Sequence, residues 1–225
     1  MAHTFRDISK AVLNLIFPLR CQGCGKLLEY NNGLFLCQGC LKELKPFSAR
    51  SCPPDNVYPF IERTCHCCVY EGLARELLHK FKYEKKVFLK HVFVNLLRDL
   101  FAAQMADKQI ELITPVPMLR RDERVRGFNQ SAILAKGLSE KTNIAYKNTL
   151  RKGKPTGAQA GLKRTQRLTN VKNAFYCHGQ ADIRDKRVVI IDDVFTTGST
   201  VNECAKVLRS NGSGAVFAMT LARGI

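Results

Sequence analysis

From Tyr70 onward, the apolar positions switch repeatedly between helical and strand-like spacing. Leu73, Leu77, Leu78 and Phe81 fall on one helix face, and Val87 to Ala103 carries a longer apolar helical stretch. Ile110 to Val116 reads as a strand, stopped by Pro115 and Pro117. Asn129 to Leu138 predicts a helix and Ala145 to Leu150 a strand. Arg151 to Lys172 reads as a loop with helical content, and Asn173 to Cys177 as a short strand. Val188 to Ile191 is a four-residue apolar run that ends in two aspartates. A helix over Thr200 to Asn211 and a last strand over Ala215 to Leu221 follow. Strands separated by helices predict an α/β fold, with a mainly parallel sheet covered by helices on both faces.

The first 20 residues follow a different pattern. Ala11 to Leu19 (AVLNLIFPL) is apolar and is preceded by His3, Arg6 and Lys10, but no small-x-small cleavage site follows. Ile8, Val12, Leu15 and Ile16 have the spacing of a short amphipathic helix, which packs on the protein's own body or at a membrane surface. No run of about 20 apolar residues exists to span a membrane. We therefore expect a cytoplasmic protein whose cysteines are reduced and open to metal.

Residues 21–69 read as a cysteine module, and 70–225 as the main domain. Cys21-x-x-Cys24 is followed after twelve residues by Cys37-x-x-Cys40, with Gly23, Gly25 and Gly39 among them. Two such pairs supply four thiolates to one tetrahedral zinc and leave no open position, so the expected zinc is structural. Cys52 with Cys65-His66-Cys67-Cys68 reads either as a second metal site or as a knuckle without an ion.

The densest chemistry is Val188-Val189-Ile190-Ile191-Asp192-Asp193-Val194-Phe195-Thr196-Thr197-Gly198-Ser199-Thr200. A buried strand, two carboxylates, a hydroxyl-rich turn and a helix start follow one another. Thr200 and Glu203 suggest a capping box. Free N–H groups and the positive end of the helix dipole suit a phosphate monoester. The two acids would repel phosphate at close range. They fit about one sugar's length away, accepting from vicinal hydroxyls or holding Mg²⁺. The segment asks for a ribose 5-phosphate.

It resembles the phosphoribosyl pyrophosphate (PRPP) motif of type I phosphoribosyltransferases. That resemblance implies that Asp192 and Asp193 bind the ribose and would carry any catalysis. It also implies that Thr196, Thr197, Gly198, Ser199 and Thr200 wrap the 5-phosphate, that Mg²⁺ accompanies PRPP, and that the core sheet has five parallel strands. The whole chain resembles the ComF family of competence proteins and the related GntX proteins. The paired cysteine module, Val116-Pro117, Arg126-Gly127-Phe128-Asn129-Gln130, the stretch Arg151…Gln159…Leu162…Arg167…Asn170…Phe175 and the terminal motif occur in the family's order. The irregular Cys65-His66-Cys67-Cys68 departs from a simple knuckle.

Charge widens the set of partners. There are 36 Lys+Arg against 19 Asp+Glu, a formal charge of +17, which suits a polyanionic partner. Arg120, Arg121, Arg124 and Arg126 follow the strand ending near Val116, where the resemblance implies a pyrophosphate-binding loop. Residues 141–181 contain no Asp or Glu. Within them, Arg151, Lys152, Lys154, Lys163, Arg164 and Arg167 are candidate contacts to single-stranded DNA, which draws affinity from counterion release. Phe128 and Tyr146 are candidates for base stacking or for the core. Lys80, Lys82, Lys85, Lys86 and Lys90 form a basic helix face, either solvated or on DNA. The family resemblance implies cytoplasmic handling of incoming single-stranded DNA during natural transformation, alongside other DNA-uptake proteins. The alternatives are an active phosphoribosyltransferase and a PRPP-sensing regulator without chemistry. Ile225 directly follows the last predicted strand, so we expect no hood segment to grip a nucleobase.

Overall fold

The computed structural model describes residues 18–28, 35–44, 58–155, 171–178 and 183–224. The expected amphipathic helix of residues 1–20 lies almost wholly outside them, as do Cys52, Lys163, Arg164 and Arg167. The strands are β1 (Arg63–Val69), β2 (Leu112–Pro115), β3 (Ala145–Tyr146), β4 (Leu150–Lys152), β5 (Phe175–Cys177), β6 (Val188–Phe195) and β7 (Val216–Arg223). The α-helices are α1 (Gln38–Glu43), α2 (Gly72–Tyr83), α3 (Lys90–Gln104), α4 (Arg120–Arg126), α5 (Gln130–Thr142) and α6 (Ser199–Ser210).

Five strands form one sheet in the order β1-β7-β6-β2-β3, with every neighbouring pair parallel. Val188 to Ile191 at its centre are fully buried. Four consecutive apolar residues are required there because both faces are covered. Val189 and Ile191 join the core beneath α2, α3 and α5. Val188 and Ile190 join the core formed by Val201, Cys204, Ala205 and Leu208 of α6. Burying each such side chain contributes about 1.5–3 kcal/mol.

Three elements differ from the sequence expectation. Residues 63–69, read with the cysteine module, form edge strand β1 in register with β7. Alternation of side chains explains the run: His66 and Cys68 are buried through hydrogen bonds to Thr220 and the Leu221 carbonyl. The strand expected over Ala145 to Leu150 divides. Ala145 and Tyr146 pair with β2, whereas Leu150 turns off the sheet into an antiparallel ribbon, β4–β5. The buried Thr149 hydroxyl, bonded to that of Thr114 at 2.8 Å, marks the bend. The segment carrying the four arginines is helix α4 rather than a loop. Asp122 and Glu123 lie in its first turn and Arg124 and Arg126 in its last, an order that suits the helix dipole, and Gly127 closes it.

The cysteine module packs against the same core. Cys21, Leu36, Cys40 and Leu44 are continuous with Leu73 and Leu77 of α2. Lys80 donates to the Gln22 carbonyl at 2.7 Å, and Phe35 packs on Phe88 with the rings tilted and their centroids 4.5 Å apart.

Candidate phosphoribose cleft and zinc ribbon

The apolar run carries β6 past Ile191, so Asp192 and Asp193 are strand residues with Phe195 as the last. The chain then turns through Gly198, whose φ is +72°, and α6 begins at Ser199. A Cβ at residue 198 would run into the rings of Tyr58 and Phe195, so glycine is required by both conformation and space. The capping box does not form. No side chain caps α6, and the Glu203 carboxylate accepts from the Asn173 backbone N–H at 2.9 Å, tying α6 to the approach of β5. The Thr197 and Ser199 hydroxyls bond each other at 2.9 Å.

A cleft of about 410 Å³ opens here. Asp192, Asp193, Thr196, Gly198, Ser199 and Thr200 line it, but Thr197 does not. Lys82 and Tyr83 of α2 close the opposite side. Each acid is held by a residue that the motif did not announce. Asp192 Oδ1 accepts from the Ser131 hydroxyl at 2.8 Å and from the Asp193 N–H at 2.9 Å. Ser131 is positioned by Asn129, which caps α5 by accepting from the N–H groups of Ser131 and Ala132 and donates to the Val116 carbonyl. Asp193 pairs with Lys82, Nζ to Oδ1 2.8 Å. Burial and the neighbouring Asp193 charge push the Asp192 pKa up to about 7, against the lowering effect of the Ser131 bond. Burial works against the Lys82 ammonium, but the carboxylates of Asp193 and Asp192 outweigh it and hold its pKa above the ordinary value.

Of the candidate pyrophosphate arginines, Arg120, Arg121 and Arg124 are exposed on α4. Arg121 pairs with Asp122. Arg126 reaches the cleft mouth, where it lies over the Tyr83 ring at 5.1 Å and donates to Gln130 Oε1 at 2.9 Å. The expected basic face of residues 80–90 is partly turned inward, since Lys80 and Lys82 are committed to Gln22 and Asp193.

Of the candidate DNA contacts among the described residues, Arg151 and Lys152 lie on β4 and Lys154 just beyond it. Lys152 packs over Phe175 at 5.8 Å, and burial lowers its pKa. Phe128 packs on Phe81, and Tyr146 is half-buried with its hydroxyl near Asn148. The exposed aromatic on the ribbon is instead Tyr176, 52% accessible and directly opposite Arg151 in register. Its ring covers Gly153 so closely that a Cβ there would lie 2.9 Å from it. Alternation within β5, with Phe175 in and Tyr176 out, was the sequence signal for this residue.

The sulfurs of Cys21, Cys24, Cys37 and Cys40 all lie within 4.8 Å of one another, and Cys24 and Cys37 are 3.7 Å apart. Four sulfurs at about 2.3 Å from one zinc sit roughly 3.8 Å apart, so the set fits that ion. Gly23 passes so near Cys40 that a Cβ would lie 2.7 Å from its sulfur. Burial opposes a thiolate at Cys21, but the N–H groups of Cys37, Cys24 and Gly23 outweigh it and hold its pKa down at about 6. Burial and the neighbouring thiols push Cys40 the other way. A divalent cation removes that conflict by accepting all four as thiolates. Among the described residues, this is the one cluster of three or more His, Cys, Asp or Glu side chains able to hold a metal ion.

A five-stranded parallel sheet bearing an acid pair and a hydroxyl-rich turn, joined to a four-cysteine knuckle, defines a phosphoribosyltransferase-type domain with an N-terminal zinc ribbon. Residues 125–224 match the family model for the phosphoribosyl transferase domain, and residues 12–54 match that for the double zinc ribbon domain. The chain is 30% identical over 226 residues to Competence protein F of Haemophilus influenzae, covering 92% of this chain and 98% of that one. It is 33% identical to the DNA utilization protein YhgH of Escherichia coli K12, over 90% and 83% of the two chains. Competence protein ComFC of Bacillus subtilis is 24% identical over 84% of each. The chain belongs to the ComF family. Among the described residues, no helix is long and apolar enough to cross a membrane.

Proposed function

We propose that this protein binds PRPP in the cleft at the end of β6 and single-stranded DNA on the β4–β5 ribbon, and that it acts in the cytoplasmic handling of incoming DNA during natural transformation. The observation that carries the reading is the placement of Asp192 and Asp193 on one wall of a cleft whose adjoining wall is the start of α6. The carboxylates accept from the ribose hydroxyls. Thr196, Gly198, Ser199 and Thr200, at the positive end of the α6 dipole, receive the 5-phosphate, and Thr197 orients Ser199. Arg126, with Arg120, Arg121 and Arg124 behind it, faces the diphosphate, where guanidinium groups fork onto phosphate oxygens. Mg²⁺ bound with PRPP would neutralise the diphosphate charge.

The DNA reading rests on charge and on one exposed ring. Arg151 stands opposite Tyr176 in register, Lys152 and Lys154 follow it in a run without acids, and Lys163, Arg164 and Arg167 extend the same run. An exposed aromatic held against the backbone offers a base its π-face at little ordering cost. The names of the relatives, a competence protein and a DNA utilization protein, support this role and partnership with other DNA-uptake proteins. The zinc ribbon packs on α2 through Leu73 and Leu77 and through the bond from Lys80 to the Gln22 carbonyl.

Calorimetric titration tests the reading. PRPP with Mg²⁺ binds the wild type, and Asp192→Ala with Asp193→Ala removes the heat while the circular dichroism spectrum is unchanged. Undiminished binding in that variant would dismiss the assignment.

A further inference from the structure

The acid pair already has a cation. Lys82 is the penultimate residue of α2, and its ammonium lies 2.8 Å from Asp193 Oδ1 with the two side chains only 16% and 13% exposed. Its direction is set by the residue before it: Phe81 is fully buried between Phe93 and Phe128, with ring centroids at 5.4 and 5.6 Å. That anchor fixes the end of α2 and aims the next side chain into the cleft. The other acid is equally engaged, since Asp192 Oδ1 takes the Ser131 hydroxyl and the Asp193 N–H. Two carboxylates with one oxygen each committed leave a poor donor set for a hard divalent ion, which takes six or more oxygens. Among the described residues, no third His, Cys, Asp or Glu joins them in a cluster.

We infer that Lys82 is the resident counter-cation of the phosphoribose cleft, so that a ribose phosphate monoester docks there without a divalent metal. The inference rests on the phosphoribose reading above and adds a division of labour to it. Lys82 neutralises the acids that hold the sugar, and Mg²⁺ is needed only by the diphosphate of PRPP. A buried pair that loses its cation keeps an uncompensated carboxylate, and removing Lys82 frees Asp193 Oδ1, so that Mg²⁺ can take the place of the ammonium beside the bound sugar.

The probe is ribose 5-phosphate, titrated calorimetrically into zinc-loaded full-length protein. The buffer is stripped of magnesium by resin rather than by a chelator that would take the zinc. Wild type binds with affinities within about threefold in the absence and presence of millimolar Mg²⁺. Lys82→Met loses about tenfold or more without Mg²⁺, the cost of roughly one charge-assisted hydrogen bond, and recovers most of it when Mg²⁺ is added. Lys82→Arg keeps the charge and stays indifferent to Mg²⁺. Wild-type binding that appears only with Mg²⁺ overturns the inference and leaves the phosphoribose reading standing. Equal behaviour of Lys82→Met and wild type in both buffers also overturns it. If neither ribose 5-phosphate nor PRPP binds under any condition, the reading of the cleft fails and the inference with it. The wild-type comparison decides even if Lys82→Met does not fold.

Discussion

The cleft at the end of β6 and the β4–β5 ribbon, the two regions proposed here to take phosphates, are built by opposite means. In the cleft, polar side chains are pinned: Ser131 on Asp192, Lys82 on Asp193, Thr197 on Ser199. The acids stand on one wall and the hydroxyl-bearing turn on the next, an arrangement that suits the proposed ligand, with a diol and a phosphate at one fixed separation. The ribbon carries few such constraints. Its cations are spread along an acid-free run, and Tyr176 presents a face that any base can cover. The first site selects by geometry, and the second by charge density. On the proposed reading, one domain discriminates a single small molecule and still holds a polymer of any sequence.

The largest expected effect separates the two ligands outright. Asp192→Ala with Asp193→Ala should weaken PRPP by about 100-fold or more, since several hydrogen bonds to charged groups go at once. Single-stranded DNA affinity, read by fluorescence anisotropy, should remain within about twofold. Equal losses of both ligands would mean one shared site. Next in size is salt. Contacts to about four to six phosphates give a log–log slope of roughly −3 to −4, so DNA affinity should fall by about two orders of magnitude between 50 and 200 mM salt. PRPP should change far less, because its contacts are directed hydrogen bonds, and a flat DNA response would remove the counterion mechanism. Smaller again is Tyr176→Ala. Loss of one stacked base costs about 1–3 kcal/mol, hence at least about fivefold in DNA affinity, and PRPP binding should be untouched. Tyr176→Phe should keep the affinity, and a Tyr176→Ala protein binding DNA as wild type would take the ring out of the interface.

The contrast also explains what the sequence could announce. The PRPP-type segment was legible because its chemistry is contiguous, with strand, acids, turn and helix following each other within 13 residues. Lys82 and Ser131 were not, because they reach the acids from α2 and α5, brought together only by the tertiary packing of Phe81 and the cap at Asn129. Lys82 shares its local composition with Lys85 and Lys86, which carry no such role. Cysteine spacing showed the same limit. Cys21-x-x-Cys24 and Cys65-x-x-Cys68 are spelled alike, but Gly23 and Gly25 let the first curl around its sulfurs, while β-branched Thr64 and Val69 flank a second that runs straight as β1. The proposed capping box failed for a related reason: Glu203 found a better donor in Asn173, a partner 30 residues away that no local pattern could name.

The smallest effect probes the cost of the cleft's geometry. Asp192 titrates near 7 in the folded protein against an ordinary value of 3.8. The folded state therefore holds that proton more tightly than the unfolded chain does. Between about pH 4 and pH 7 the unfolded chain has lost the proton and the folded protein retains it, so stability falls as pH rises through this window. Above pH 7 the carboxylate is charged in both states and the full cost is present. Asp192→Asn keeps an oxygen to accept from Ser131 and removes the charge. It should stabilise the free protein by about 1–2 kcal/mol at pH 8, the shift being discounted for solvent in the cleft, which is about 2–6 °C in Tm for a chain of this size. At pH 5 the gain should be about two-fifths of that, because only the part of the cost between the unfolded value of 3.8 and pH 5 has accrued there. A gain that is equal at both values, or a loss at pH 8, would mean that Asp192 is already a stable carboxylate in the free protein. The cleft would then hold its ribose-binding acids at no cost in stability, and its contrast with the open ribbon would lie in shape alone.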